Sequence, residues 1–513
     1  MENDSKPHEI NPHQEHPNAH LSTQRKEKVK AWLKNPYNLA ILGILLFALA
    51  IRLYYFFQTA NQPLWWDESE YMLHAKHLAF GTPDTGWAAA IRPPLFSLIA
   101  SLFFRIGLGI VSIKLLGALL SFAGVFLVYS VGKELLGKKE GLIAAVIYSV
   151  FYLDIFYMSR LLVDVPSLVF SMSALYFMLK REENKWFAYL IFPTLVVGVL
   201  LKFTVIVMLP LILLYLLITK KLDFLKEKNL WVSSLLGIIA YVPYGIWSWM
   251  KFGNPIGALI GASVGAERTL GRWDVFMQYL TYFPTYIYWI LFSVFILGTL
   301  VILFRLVLSF DFIKERKSLQ TDVFLISWLI FVFIIFGFFI NHFEDRYIFL
   351  VFPAVFYVIS EGFISVYGFI SKYQKSLAVF AIVILLLIGL YPMFNYTNNI
   401  IKTKLTSYDG LPKAGLWIKD HSSSNDSIIS SAVPELTYYS ERAQYSYPDN
   451  ESDFTQLTDD LHPKFMVVTI WERSPDWAYS WADNNSKVKP VQAFYMSNDP
   501  SKIDTVIYQF VYS

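Results

Sequence analysis

The sequence predicts an α-helical polytopic membrane protein that ends in a small α/β domain. Apolar runs of 18 or more residues recur between about residue 39 and residue 394, each long enough to cross a bilayer core of roughly 30 Å. The runs are continuously apolar and do not alternate, so helices, not barrel strands, are the spanning elements. From residue 396 the character changes. Strand-like runs such as "DSIISSA" and "KFMVVTI" alternate with helical ones such as "GLPKAGLWIKDH" and "ESDFTQLTDDLH", the pattern of an α/β unit. The expected division is a polar, His-rich, disordered cytoplasmic tail at 1–37, a membrane domain at 38–395 and an extracytoplasmic domain at 396–513. Only 16% of the 513 residues are charged and 55% are hydrophobic, unlike a soluble chain of this length. A net charge of +3 leaves no nucleic-acid footprint. The absence of cysteine excludes disulfides, thiolate catalysis and cysteine-ligated zinc.

Lysine and arginine clusters set orientation, because such loops stay cytoplasmic. The tail ends in "QRKEKVKAWLK", so a first span at about 38–58 runs outward and the loop from 59 to about 109 is external. Within that loop "RPPLFSLIASLFFRIG" is short and interrupted and is assigned to the interface. Spans at about 110–131 and 141–157, and a fourth after "MSRLLVDVP", lead to the internal "KREENKW". A fifth exits near Lys202, a sixth returns to "TKKLDFLKEK", and a seventh, 231–250, precedes an external loop. Spans eight to eleven land in turn on "DFIKERKS", "NHFEDRY", "SKYQKS" and the outer side at about residue 395. This count of about eleven puts every lysine cluster inside and Asp67, Glu68, Asp164, Glu344 and Asp345 outside. Counting the interfacial stretch as a span would invert every later loop. Sequons at Asn395, Asn425, Asn450 and Asn484 fit the outer side, although the motif is short.

The first external loop carries "PLWWDESEYMLHAKHL", with Asp67 and Glu68 directly after two tryptophans. A helix start is one reading: Asp67 as N-cap with Glu70 three residues on makes a capping box. A site role is the other. Trp65 and Trp66 anchor at the interface, adjacent apolar surface raises a carboxylate's pKa and makes it a better base, and lipid-linked substrates arrive on this side. Four basic residues, Arg92, Arg160, Lys202 and Arg346, lie at the outer ends of hydrophobic segments. Snorkelling accounts for any one of them. Four on one side, against the positive-inside trend, point to a buried phosphate held by charge-assisted hydrogen bonds. Asp164 either caps the fourth span or pairs with Arg160, and Asp345 is read as a structural partner of Arg346.

"PLWWDESEYMLHAKHL", "RPPLF", "SRLLVDVPSLVF", "LLKFT" and "HFEDRYIFLVFPAVF", in that order over roughly residues 38–395, resemble the GT-C glycosyltransferases. The similarity is greatest to the protein O-mannosyltransferases and their prokaryotic relatives. The resemblance implies a GT-C fold with Asp67 as catalytic base and Glu68 beside it orienting acceptor or base. It also implies Arg92 as a contact to the lipid phosphate, as in the related aminoarabinose transferases. In those proteins the residue before it is an acidic metal ligand; here it is Ile91. No cofactor or metal is therefore expected, His342 beside Glu344 being the one candidate ligand pair. The expected partners are a polyprenyl- or dolichyl-phosphate-linked donor of mannose or another hexose, a protein or glycolipid acceptor, and membrane lipids.

The chemistry is coherent with one carboxylate. A lipid phosphate leaves as an anion, so the acid that glycosidases need for a poor alkoxide is dispensable. One base for the acceptor hydroxyl and cations around the departing phosphate suffice, and a single displacement inverts the anomeric carbon. A secondary transporter is the alternative from another class. Internal repeats and midplane charges would mark one, whereas here the charges cluster at the outer ends. A ligand sensor is a third reading, without a cytoplasmic effector domain to serve it.

Overall fold

A computed structural model describes residues 27, 30–257, 259–260, 270–313, 316–340 and 343–512. Among them, eight helices are long and apolar enough to cross a membrane by themselves, or nine if one bent pair forms a single span. The first, α1 (Pro36–Thr59), begins where Asn35 Oδ1 accepts from the Tyr37 N–H at 3.0 Å, with Pro36 in the first turn, where its missing N–H costs nothing. Three short helices follow outside it: α2 (Trp66–Phe80), α3 (Trp87–Ile91) and α4 (Leu95–Arg105). The last lies within "RPPLFSLIASLFFRIG". At roughly 16 Å it is too short to span. It buries Phe96 and Ala100 while exposing Leu98 and Leu102, as an interfacial helix does.

The membrane part continues with α5 (Ile110–Leu135), α6 (Lys138–Ser149), α7 (Tyr152–Met158), α8 (Asp164–Lys180) and α9 (Lys185–Leu201). It goes on through α10 (Met208–Lys220, preceded by a 3-10 turn), α11 (Lys228–Phe252), α12 (Arg272–Leu308), α13 (Lys317–Phe338), α14 (Phe352–Ser371) and α15 (Lys375–Lys404). Each expected span falls on one or two of these helices, against the eight or nine that have the length and hydropathy of a crossing among the described residues. The third is the bent pair α6–α7, broken by 54°. The fourth and fifth, α8 and α9, have 17 residues each, roughly 26 Å of helix.

A polar cluster that the sequence reading passed over closes the α6–α7 break. Arg52 of α1 is fully buried and donates to Asp154 at 2.7 Å and to the Ser149 carbonyl at 2.6 Å. Ser121 and Tyr148 add hydroxyl donors to Asp154 at 2.5 and 2.7 Å. Intramembrane charges usually mark function, but here every partner is internal and the cluster ties α1, α5, α6 and α7 together. Lys114 of α5 is likewise buried and donates to the Thr59 and Gln62 carbonyls at 3.1 and 2.8 Å. It fixes the end of α1, and with it the loop that leads to α2.

The C-terminal residues fold as α16 (Gly410–His421), β1 (Ile428–Ser430), α17 (Val433–Ser440), β2 (Gln444–Tyr445), α18 (Glu451–Leu461), β3 (Phe465–Thr469), α19 (Asp476–Asn484), β4 (Val488–Met496) and β5 (Asp499–Phe510). The sheet order is β2-β1-β3-β5-β4, with β2, β1 and β3 parallel and β5 antiparallel to both neighbours. Alternation along the strands sends Ile429, Met466 and Tyr508 to one face, with Phe454 and Trp481, and Ile428, Val467 and Ile507 to the other, with Leu411 and Leu436. Helices therefore cover both faces, and α17 and α18 lie on opposite sides.

Candidate active site

The site is assembled on α2. Glu68 caps this helix: its Oε2 accepts from the Trp65 N–H at 3.0 Å. The capping box thus sits two residues earlier than Asp67 and Glu70 would place it, because Glu68, three residues after Trp65, reaches back to its backbone N–H. Glu68 also accepts from Arg160 Nη1 at 3.0 Å and the Leu161 N–H at 2.8 Å. With the side chains of Glu68 and Arg160 1% and 3% exposed, the pair pins the segment after α7 to the start of α2. Asp164 does not pair with Arg160, which is taken. It accepts instead from Lys202 at 2.5 Å, since both stand where α8 begins and α9 ends.

Asp67 is left facing a cavity of about 540 Å³. Its two oxygens are held by Arg92 at 2.8 Å and Arg346 at 2.6 Å. Gly81 and Gly86, at φ +70° and +74°, occupy the left-handed conformation that side chains resist. They turn the chain after α2 so that α3 delivers Arg92. Arg346 also binds Glu344, and Asp345 is not its side-chain ion-pair partner: Asp345 accepts from the Tyr157 hydroxyl at 2.7 Å. Arg92, Arg160 and Arg346 line the cavity together with Asp67 and Glu68. Lys202 stands behind the wall, 5.3 Å above the Tyr347 ring, and Asp164 and Asp345 lie behind it too.

Burial alone would raise the Asp67 carboxyl, but Arg92 and Arg346, with Lys202 at longer range, outweigh it and hold it below the usual carboxylate range. The expected rise beside apolar surface does not occur, because two guanidiniums within contact exceed the cost of desolvation. Two donors in the cavity wall, Arg92 Nε and Trp65 Nε1, are buried without a hydrogen-bond partner, which a ligand oxygen would remedy.

Glu70, one helical turn beyond Asp67, behaves oppositely. It is 3% exposed and accepts from the Thr85 hydroxyl at 2.8 Å. Burial pushes it up to about 7. Between its ordinary range and pH 7 the folded chain keeps a proton that the unfolded chain has lost, so stability falls as pH rises through that window. We expect Glu70→Gln, which keeps the acceptor for Thr85, to flatten the fall. The melting temperature of the variant should exceed that of the parent at pH 8 and match it near pH 5. The full effect is up to about 3 kcal/mol, and equal melting curves at both pH values would refute it.

The C-terminal domain completes the wall. Arg160 lies 3.4 Å over the Trp65 ring, Trp65 stacks on Tyr408 at 5.5 Å, and Tyr408 stacks on Trp471 at 5.2 Å. Tyr408 donates to Glu472 at 2.7 Å. Further ties are Lys76 to Glu441 at 2.6 Å and the Leu64 N–H to the Tyr439 hydroxyl at 3.1 Å. The sequence reading assigned no site role to Tyr408 or Trp471; no spacing signal connects them to residue 65. Among the described residues no group of three or more His, Asp or Glu side chains is placed to hold a metal ion, and His342 lies outside them.

The family model for dolichyl-phosphate-mannose-protein mannosyltransferases matches residues 91–247, which include Arg92, Arg160, Asp164 and Lys202. No curated protein matches the chain significantly. The fold is similar to that of ArnT from Cupriavidus metallidurans bound to undecaprenyl phosphate, at 14% identity and a TM-score of 0.61, covering 91% of this chain and 97% of that one. It is similar to AglB, the oligosaccharyltransferase of Archaeoglobus fulgidus in complex with an inhibitory peptide and a dolichol-phosphate, at 14% identity and a TM-score of 0.58, covering 84% and 69%. It is also similar to the mycobacterial arabinofuranosyltransferase AftD, at 12% identity and a TM-score of 0.57, covering 91% and 40%. By this architecture, over nearly the whole of both chains in the first comparison, the protein has the GT-C fold.

Proposed function

We propose that the protein is an inverting glycosyltransferase that moves a hexose, mannose being the leading candidate, from a polyprenyl- or dolichyl-phosphate to an acceptor hydroxyl on the extracytoplasmic side. The observation that carries this reading is Asp67 between Arg92 and Arg346, in a cavity whose wall holds two unpartnered donors. ArnT and AglB, which share the fold, were each solved with a polyprenol-type phosphate, and this supports a lipid-phosphate donor here.

Arg92, Arg160 and Arg346 face the donor phosphate across the cavity, and Lys202 adds its field from behind Tyr347. When the phosphate enters, its oxygens compete with Asp67 for the two guanidiniums. Each contact that Asp67 loses raises its basicity, so the base becomes competent only once the donor is present. The acceptor oxygen then attacks the anomeric carbon and its proton passes to Asp67. The bond from that carbon to the phosphate oxygen breaks, and the electron pair stays on a phosphate that the guanidiniums stabilise. Glu68 and Asp345 support the site from outside the reaction: Glu68 through Arg160 and the start of α2, Asp345 through Tyr157.

The test is transfer by purified protein in detergent, with a polyprenyl-phosphate hexose and a panel of hydroxyl acceptors. A transporter has no compartments to work between there, so absence of transfer with all donors would favour that reading. Orientation is tested separately. Ser424 is exposed in the C-terminal domain, and the chain has no cysteine, so Ser424→Cys should label in intact cells. Labelling only after permeabilisation would reverse the topology.

A further inference from the structure

A second cavity, of about 740 Å³, opens in the C-terminal domain against Trp66, the residue that also lines the Asp67 cavity. Its position follows from the sheet topology. The chain leaves β1 toward α17 on one face and leaves β3 toward α19 on the other, so the segments after the two parallel strands diverge. Such a switch point at the carboxyl ends of strands is where open α/β sheets bind ligands. Ser431, directly after β1, and Ser474, after β3, meet across it with their hydroxyls 2.9 Å apart.

The lining selects a class of ligand. Among the described residues that line it, the carboxylates of Asp449, Glu472 and Asp476 outnumber the single cation, Arg473, which disfavours an anionic ligand. Among the described residues no aliphatic side chain other than Pro475 lines it, so a lipid tail has no seat. Carboxylates and serine hydroxyls accept hydrogen bonds from ligand hydroxyls, while Trp66 and Trp477 offer ring surface to apolar sugar faces. Glu472 also holds Tyr408, a wall of the Asp67 cavity, so the two cavities share one frame.

We propose that this crevice is the acceptor site and that the acceptor is a neutral or amino-bearing saccharide, whose end passes Trp66 to reach Asp67. The proposal rests on the glycosyltransferase reading given above. Full-length protein in detergent is titrated with mannotetraose, with an N-acetylglucosamine tetrasaccharide and with a Ser/Thr-rich peptide, and binding is read by saturation-transfer NMR and calorimetry. At least one saccharide should bind. Ser446→Trp, which fills the crevice from an exposed position, and Asp476→Ala at its exposed rim should each weaken that binding, the first by at least about tenfold. Lys489→Ala, at an exposed position on β4 that does not line the crevice, should leave it unchanged. Binding of neither saccharide, equal binding by Ser446→Trp, or binding of the peptide alone would overturn the proposal. A wild-type protein that binds saccharide yet transfers no hexose would sink the glycosyltransferase reading and leave the saccharide site standing.

Discussion

Asp67→Asn protein, monodisperse and at saturating donor, should turn over at least about 100-fold more slowly than the parent, the usual scale of general-base catalysis. The substitution keeps the side chain's shape and removes its proton acceptor. Donor affinity should not fall, because Arg92 and Arg346 lose a competitor for the phosphate rather than a partner in holding it. Arg92→Ala should behave differently, weakening donor binding and slowing turnover together, since in the proposed mechanism Arg92 contacts the phosphate before and during departure. Turnover of Asp67→Asn within a few-fold of the parent would place the base elsewhere.

Glu68→Ala should have the largest effect on stability. It strands the Arg160 guanidinium and the Leu161 N–H in a buried setting, which costs about 3–5 kcal/mol when one partner of such a pair is removed. Glu68→Gln restores an acceptor for Leu161 but not the charge, so its loss should be smaller. Thermal unfolding followed by size-exclusion chromatography separates the three proteins. A melting temperature for Glu68→Ala equal to that of the parent would mean that Arg160 finds another counter-ion. The contrast between the neighbours is the point. Asp67 variants should fold and not work, whereas Glu68 variants should fail first in folding.

Much of this was legible because it depends on local composition. Continuous apolar runs gave the long apolar helices, and the interruption in "RPPLF" marked α4 as a short, separate helix. Arg92, Arg160, Lys202 and Arg346 were legible as a set since charges at the outer ends of spans are conspicuous, and the structure brings the three arginines, but not Lys202, to the wall of one cavity with Asp67. Their pairing was not legible. Arg160 chose Glu68 over Asp164, four residues away in sequence, because the break after α7 turns it toward α2. The low pKa direction of Asp67 follows from that same three-dimensional pairing. Arg52, Lys114 and Asp154 sat inside apolar runs and carried no signal beyond their charge. Strands β4 and β5 carry a weaker sequence signal, because "VKPVQAFYMSNDPSKIDTVIYQF" mixes Pro490 and charged residues into its alternation.

The stack from Arg160 through Trp65 and Tyr408 to Trp471 bears on modularity. A small domain at the end of a chain is ordinarily a unit that recombination can exchange or delete. Here one of its rings closes the chamber in which Asp67 sits, and its neighbour braces that ring. A chimera that swaps the domain inherits a gap beside Trp65 unless the incoming sequence supplies both rings at matching positions. The segment after α15 is therefore a joint within one machine, and the two regions can diverge in sequence only as a pair.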